Sequence, residues 1–401
     1  MSTYVFFNVP AYGHINPTLP IVAELTRRGH QVYYWTHDSF ADVVQRAGGI
    51  PVVLPGTQQD QNTKPPGDKE IALLPFFMAR ELPRAVPEIL EKLKNIKPDC
   101  IISNTMLLAP RLAARISGLP LIGFRPFHSA RRQQKIVETF TDPKFELLAH
   151  SANEALTAVT TLYGLPRLTL KELLSEIPEL TLVFLPKTFQ VHAEQFDERF
   201  LFVGPSFTEP QPIPWPVAES SKSTAIKVYI SLGTLRNNEP GFYRMCFAAF
   251  PAPDWSVVMS VGEQIDLSAL EPIPGNFVVK RSVPQTSLLP NVDVFVTHGG
   301  LNSTMESLYY GVPVVVFPSI REQLTTGERV RDLNLGIMPD RDTVTAAVLR
   351  EAVMTVYKSE SIRHSVNEIK DAIRNAGGYL RATDAIVGFQ QAFPPHTVRF
   401  I

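Results

Sequence analysis

Strand-type and helix-type segments alternate along this chain, and that alternation restricts it to folds built on parallel sheets. Tyr4-Val5-Phe6-Phe7-Asn8-Val9 is a short, mostly apolar run of the kind that parallel strands bury on both faces. A turn follows, and then Asn16-Pro17 reads as an N-cap with proline at the first helical position. Leu19, Val22 and Leu25 recur at helical spacing, Gly29 closes the helix, and Gln31–Thr36 is the next strand. Strand, helix and strand in that order make a βαβ unit, which is right-handed over a parallel sheet. Cys100–Ser103, Leu107–Ile116 and Leu119–Phe124 repeat the series, and no repeat of solenoid length is present.

Between Phe207 and Val217 four prolines interrupt the pattern, and Glu219-Ser220-Ser221-Lys222-Ser223 follows. Such a stretch continues neither a helix nor a central strand and reads as a linker. A second βα series begins at Ile226–Ser231 and continues through Trp255–Val261, Phe277–Lys280, Val292–Thr297 and Val312–Phe317. The expected organisation is a first domain over 1–206, a linker over 207–223, a second domain over 224–378, and a C-terminal helix and tail over 379–401. The helix, about Ala382–Ala392, is expected to return to the first domain. A ligand cleft between the halves is the default expectation, since open α/β sheets bind at the carboxyl ends of their strands.

Composition excludes several classes. The 38 Lys+Arg nearly cancel the 39 Asp+Glu, without the basic surplus of a nucleic-acid binder. With 44% hydrophobic and 19% charged residues the chain is not disordered. Cys100 and Cys246 lie far apart in apolar surroundings and read as reduced core residues. No basic leader precedes the first apolar run, and stretches such as Val312–Phe317 are far short of the roughly 20 residues a membrane helix needs. The expectation is a soluble, cytoplasmic protein with no nucleic-acid or membrane partner, its oligomeric state open.

The strongest local signal is Thr297-His298-Gly299-Gly300-Leu301-Asn302-Ser303-Thr304-Met305-Glu306. A buried-type strand runs into paired glycines and then a helix that Gly311 stops. Glycines let the backbone approach a ligand closely, and Asn302 and Ser303 stand where free N–H groups and the helix dipole favour an anion. His298 adds a donor beside it, and Glu306, about one turn in, could accept from neighbouring ribose hydroxyls.

Together with Val283-Pro284-Gln285, Leu288-Leu289-Pro290, Gly311-Val312-Pro313 and Glu322-Gln323, this block resembles the donor signature of family 1 glycosyltransferases. Ser231-Leu232-Gly233-Thr234, Lys187-Thr188-Phe189-Gln190 and Phe202-Val203-Gly204-Pro205-Ser206 are similar to the bacterial branch that glycosylates macrolides and flavonoids. The resemblance covers nearly the whole chain. It implies an α/β chain of GT-B fold: two Rossmann-like domains facing across a cleft, the first binding acceptor and the second nucleotide sugar. It further implies metal-independent, inverting transfer of a hexose, glucose from UDP-glucose above all, to a hydroxyl or thiol of a small aromatic or polyketide-like acceptor. The UDP-sugar would be a cosubstrate, with no bound cofactor. The Val283 backbone and Gln285 side chain would hold the nucleobase, and Glu306 the ribose. Thr234, His298, Gly300, Asn302 and Ser303 would surround the diphosphate, and Glu322 and Gln323 would meet the sugar. Relatives commonly carry Asn before an Arg-Val pair where this chain has Glu328, a departure that bears on the sugar.

Ala11-Tyr12-Gly13-His14-Ile15-Asn16-Pro17 resembles the family's catalytic loop, with His14 as general base, a task that suits a side chain titrating near neutrality. The family backs this histidine with an aspartate, but here the strand begun by Pro98-Asp99 ends in Ser103-Asn104. Asn104 is either an orienting partner, its amide oxygen accepting the imidazole N–H without charge, or a strand-end residue. In the first case the base is weak and acidic acceptors are favoured. Phe77, Met106, Leu107, Phe124 and Phe127 are expected in the acceptor pocket. Asp340-Arg341-Asp342 reads as a surface loop rather than a metal motif, Arg131–Lys135 as a solvated helix face, and the nine histidines show no metal spacing. Two other functions remain open: a nucleotide-sugar epimerase of the same fold, and a catalytically impaired nucleotide-sugar-binding helper.

Overall fold

The structure, a computed structural model, describes residues 1–53, 68–126, 142–216, 222–234 and 237–393, with the backbone alone for 68–72. Phe127 and the Arg131–Lys135 face lie outside the described residues, and of the polar stretch Gln58–Asp68, expected as a loop, only Asp68 is described, at the start of the helix Asp68–Arg80. The chain forms two compact units, Met1–Phe207 with Ala376–Ile401, and Thr208–Asn375.

The first unit is built on seven parallel strands: β1 (Thr3–Phe7), β2 (Gln31–Thr36), β3 (Ile50–Val53), β4 (Cys100–Asn104), β5 (Leu121–Arg125), β6 (Leu180–Val183) and β7 (Phe200–Phe202). Their order is β3-β2-β1-β4-β5-β6-β7. The chain leaves β1 in one direction and returns to its other side at β4, so the topological switch lies between these two strands. In register, Phe7 stands beside Ser103, which brings the carboxyl ends of β1 and β4 level.

One core packs Phe6, Tyr34, Ile102, Ile122 and Phe124 against Ile21, Val22 and Leu25 of the helix Leu19–Arg27. Ala382 and Ile386 of the C-terminal helix Gly378–Ala392 complete it. Each such buried side chain contributes roughly 1.5–3 kcal/mol. The same helix is tied to the N-terminal region by an Arg28–Asp384 ion pair at 2.6 Å.

The second unit carries six parallel strands: β8 (Ile226–Ser231), β9 (Trp255–Ser260), β10 (Phe277–Lys280), β11 (Val294–Thr297), β12 (Val314–Val316) and β13 (Gly336–Ile337). The order β10-β9-β8-β11-β12-β13 puts its switch between β8 and β11, with Ser231 beside Thr297 in register. The central β11 and β12 are buried at every position, as expected for strands covered on both faces. Among the described residues no helix is long and apolar enough to cross a membrane.

Candidate active site

In the first unit the turn after β1 is helical rather than open. Tyr12–Ile15 forms a helical turn capped by the extended Ala11, and a tighter turn, Asn16–Thr18, leads into the helix Leu19–Arg27. Asn16 is exposed and no side chain caps that turn, so the N-cap expected at Asn16 is not formed. The reason is that Gly13 and His14 already adopt helical backbone, which moves the helical start to Tyr12. His14 is thereby held at the carboxyl end of β1, half-buried, with Asn104 at the adjacent end of β4.

The two side chains meet: Asn104 Nδ2 lies 2.8 Å from His14 Nδ1. The fully buried Asn104 also donates from Nδ2 to Asn8 Oδ1 at 3.1 Å, and its Oδ1 accepts the Met106 N–H at 3.1 Å. Asn8 in turn accepts the Val9 N–H on Oδ1 and donates from Nδ2 to the His14 carbonyl and to Tyr34 Oη, each at 2.8 Å. Tyr34 Oη contacts Thr18 Oγ1 at 2.6 Å, and Thr18 donates to the Ile15 carbonyl at 2.7 Å. Asn8, Tyr34 and Thr18 were not singled out by sequence reasoning. The one available signal was the lone polar Asn8 ending an apolar strand.

The residues expected to face an acceptor separate. Phe77 is about half exposed, and Met106 and Leu107 are half-buried just past β4. Phe124 is a correction: it is fully buried, stacked on Phe184 with centroids 6.0 Å apart, and belongs to the sheet core. Strand parity explains this, because alternate positions of β5 point to opposite faces and that of Phe124 is covered by helices. A cavity of about 280 Å³, bordered by Gly118, Leu121, Glu176 and Phe389, lies at the opposite, amino-terminal end of β5.

In the second unit every expected donor residue follows the carboxyl end of a strand: Thr234 after β8, Val283 and Gln285 after β10, His298 to Glu306 after β11, and Glu322 and Gln323 after β12. His298 sits between two glycines. A Cβ on Gly233 would fall 2.5 Å from His298 Cε1, and one on Gly300 2.5 Å from Nε2. Gly233 also has φ +80°, a left-handed backbone that any other residue adopts at a cost. Burial lowers the His298 pKa to about 4, so the imidazole is neutral at pH 7. Beyond it, Gly300 caps the helix Leu301–Tyr309 in extended backbone, and the first intrahelical bond runs from the Thr304 N–H to the Gly300 carbonyl. The amides before it have no carbonyl within the helix to reach, and they make that end electropositive.

Gln285 Nε2 donates to Glu306 Oε2 at 2.6 Å. Burial raises the Glu306 pKa to about 7, against the lowering effect of that bond. Gln323, almost fully buried, accepts on Oε1 from the Ser319 N–H and Oγ at 2.8 and 2.9 Å. Its carbonyl would stand 3.1 Å from a Cβ on Gly299, so the start of the helix Arg321–Asp332 lies against the His298 turn. Thr234 and Glu322 are exposed and Val283 half-buried. Arg341, within the Asp-Arg-Asp triplet, pairs with Glu239 at 2.9 Å.

Two parallel sheets, each with polar residues gathered at the carboxyl ends beside its switch point, define a GT-B glycosyltransferase. The chain belongs to the bacterial family 1 glycosyltransferases. It is 36% identical over 395 residues to the NDP-glycosyltransferase YjiC of Bacillus subtilis, covering 96% of each chain. It is 34% identical to the YjiC of Bacillus licheniformis, again over 96% of each. Residues 245–376 match the model of the erythromycin biosynthesis protein CIII-like C-terminal domain. Among solved structures, the calicheamicin glycosyltransferase CalG4 superposes with a TM-score of 0.84 at 29% identity, over 98% of both chains.

Proposed function

We propose that this glycosyltransferase moves a hexose, glucose from UDP-glucose, onto a hydroxyl or thiol of a small aromatic or polyketide-like acceptor with inversion at the anomeric carbon. The observation that carries the reading is the matched placement of the two polar clusters, one at each switch point: His14 with Asn104 between β1 and β4, and His298 with the Gly233 and Gly300 turns between β8 and β11. Relatives named as NDP-glycosyltransferases support a nucleotide-sugar donor, and the calicheamicin enzyme supports a natural-product acceptor.

In this reading the first unit binds the acceptor and the second the donor. The base lies along Val283 and Gln285, and the ribose hydroxyls donate to Glu306. The diphosphate meets Thr234, His298 and the helix start at Gly300, Asn302 and Ser303, while Glu322 and Gln323 contact the sugar. The acceptor atom, its proton managed at His14, attacks the anomeric carbon in line, and the diphosphate departs with the bonding electrons. The helix start stabilises the charge that grows on it, the form of electrostatic help that contributes most to such steps.

The test is chromatographic detection of UDP and of glycosylated product from UDP-glucose with a panel of flavonoid and macrolide acceptors. Acceptor-dependent UDP release with a β-linked product supports the reading. Interconversion of the sugar without acceptor indicates the epimerase, and nucleotide binding without turnover the helper.

A further inference from the structure

We infer that Arg341 is a positioning residue for the donor: it braces the turn after β8 against the end of β12 and so fixes the groups assigned to the diphosphate. The inference deepens the proposed donor site and rests on that assignment of the second unit's turns.

Arg341 follows β13, the edge strand of the second sheet, whereas Glu239 follows β8, three strands away in the order β8-β11-β12-β13. The guanidinium closes that span with two hydrogen bonds. Nη2 donates to Glu239 Oε1 at 2.9 Å, and Nη1 donates to the Phe317 carbonyl at 3.2 Å. A guanidinium fork can address two oxygens in fixed directions, which a point-charge ammonium does not do. Phe317 is fully buried just past β12, and its N–H donates at 2.8 Å to the carbonyl of Thr297, the residue before His298. One cation therefore ties the end of β12, beside the His298 turn, to the segment after β8. Its charge also reaches His298: burial is the main cause of the lowered His298 pKa, and Arg341 adds to it.

From Glu239 the connection runs through Asn237 to the turn itself. The Glu239 N–H and Tyr243 Oη both donate to the Asn237 carbonyl at 2.9 Å. Asn237 is only 2% exposed, and its Nδ2 donates to the Gly233 carbonyl at 2.7 Å. A Cβ on Gly262 would overlap that amide, so a glycine backs it closely. Gly233 in turn lies against the His298 ring. Displacing Glu239 thus shifts Gly233 and its neighbour Thr234 relative to His298. The Arg341–Glu239 pair carries no net charge, so its contribution is geometric rather than an added attraction for phosphate. The groups assigned to base and ribose are joined separately, by the bond from Gln285 to Glu306. The brace should therefore act on the diphosphate and spare the nucleoside.

The experiment compares the full-length wild type with Arg341→Ala, Glu239→Ala and the double variant. UDP binding is measured by calorimetry and uridine binding by ligand-detected NMR. Each single variant should weaken UDP by about tenfold, within the range by which residues that touch no ligand alter its binding. The double variant should lose no more than either single one, and uridine should bind to all four proteins alike. Hydrogen exchange without nucleotide should quicken at the start of the helix Pro240–Ala249 in both single variants, while β8 and β11 keep their protection.

Unchanged UDP affinity in Arg341→Ala overturns the inference and leaves the donor site standing. Parallel losses of UDP and uridine, or loss of protection throughout the sheet, also overturn it, because they show a general loosening of the fold. If Glu239→Ala binds UDP as well as or better than wild type while Arg341→Ala binds it worse, Arg341 meets the diphosphate directly and the brace is overturned. Failure of wild type to bind UDP overturns the donor assignment and the inference with it.

Discussion

Gln285 and Glu306, 21 residues apart, share a 2.6 Å hydrogen bond that joins the turn after β10 to the helix after β11. It opposes, without cancelling, the burial that raises the Glu306 carboxyl to a pKa of about 7. Glu306 is thus poised between its two protonation states at neutral pH, and a ligand donating two hydroxyls to it would favour the carboxylate.

The sign of the resulting pH effect follows. In the free protein the raised pKa leaves Glu306 partly protonated near neutral pH, and ribose hydroxyls that hydrogen-bond the carboxylate lower that pKa. Binding of UDP should therefore release protons near pH 7, and affinity should rise as pH climbs through that value. Calorimetry in buffers of different ionisation enthalpy checks both. Glu306→Ala should abolish the release and weaken UDP by about 1.5–3 kcal/mol for each charge-assisted bond lost. Unchanged proton release in that variant would remove Glu306 from the nucleotide site.

His298 is shifted in the opposite direction, downward. Its folded pKa of about 4 lies below the ordinary 6.5, so the unfolded chain binds more protons between those values. Its contribution to stability is present above about pH 6.5 and is lost as pH falls toward 4. Gly233→Ala should injure the same spot: the left-handed backbone alone costs roughly 1–2 kcal/mol, and the new methyl would meet the His298 ring. A lowered thermal midpoint together with weakened UDP binding is expected. A variant with wild-type values for both would show that the ring is free to move away.

Gln323 should separate from Glu306 in function. Its side-chain oxygen is held by Ser319, which orients the amide at the start of its helix, and it is assigned to the sugar rather than the nucleotide. Gln323→Ala should spare UDP and weaken UDP-glucose. Equal losses for the two ligands would contradict that division.

The parts of the fold readable from sequence were those whose strands lie in continuous apolar runs bounded by turn residues. β2, β8 and β10 have the expected bounds, and β1, β4, β5, β9, β11 and β12 differ from expectation by a few residues at their ends. The strands β3, β6, β7 and β13 went unrecognised. β3 contains Pro51, which an edge strand tolerates, and the edge strands β7 and β13 are only three and two residues long. β6, Leu180–Val183, is as long as the recognised β10 and β11, and its apolar run was passed over. At the candidate site, glycine pairs and strand-to-helix turns marked the positions of His14 and His298. The direction of the Asn104 hydrogen bonds was not legible, because it depends on backbone N–H groups of Val9 and Met106 that only the folded chain brings into place. Phe124 was misjudged because composition alone does not tell the two faces of a strand apart.

The central claim is that His14 serves the acceptor while a separate cluster serves the donor. Mass spectrometry of reactions of wild type and His14→Ala with UDP-glucose and a mixed phenolic acceptor panel, alongside calorimetry with UDP, tests it most directly. Wild type should add one hexose to at least one phenol. His14→Ala should lose most of that product, with a deficit up to the ~10²–10⁴-fold typical of proton-handling groups, and should bind UDP as wild type does. Undiminished product from His14→Ala, or a parallel loss of UDP binding, would contradict the account.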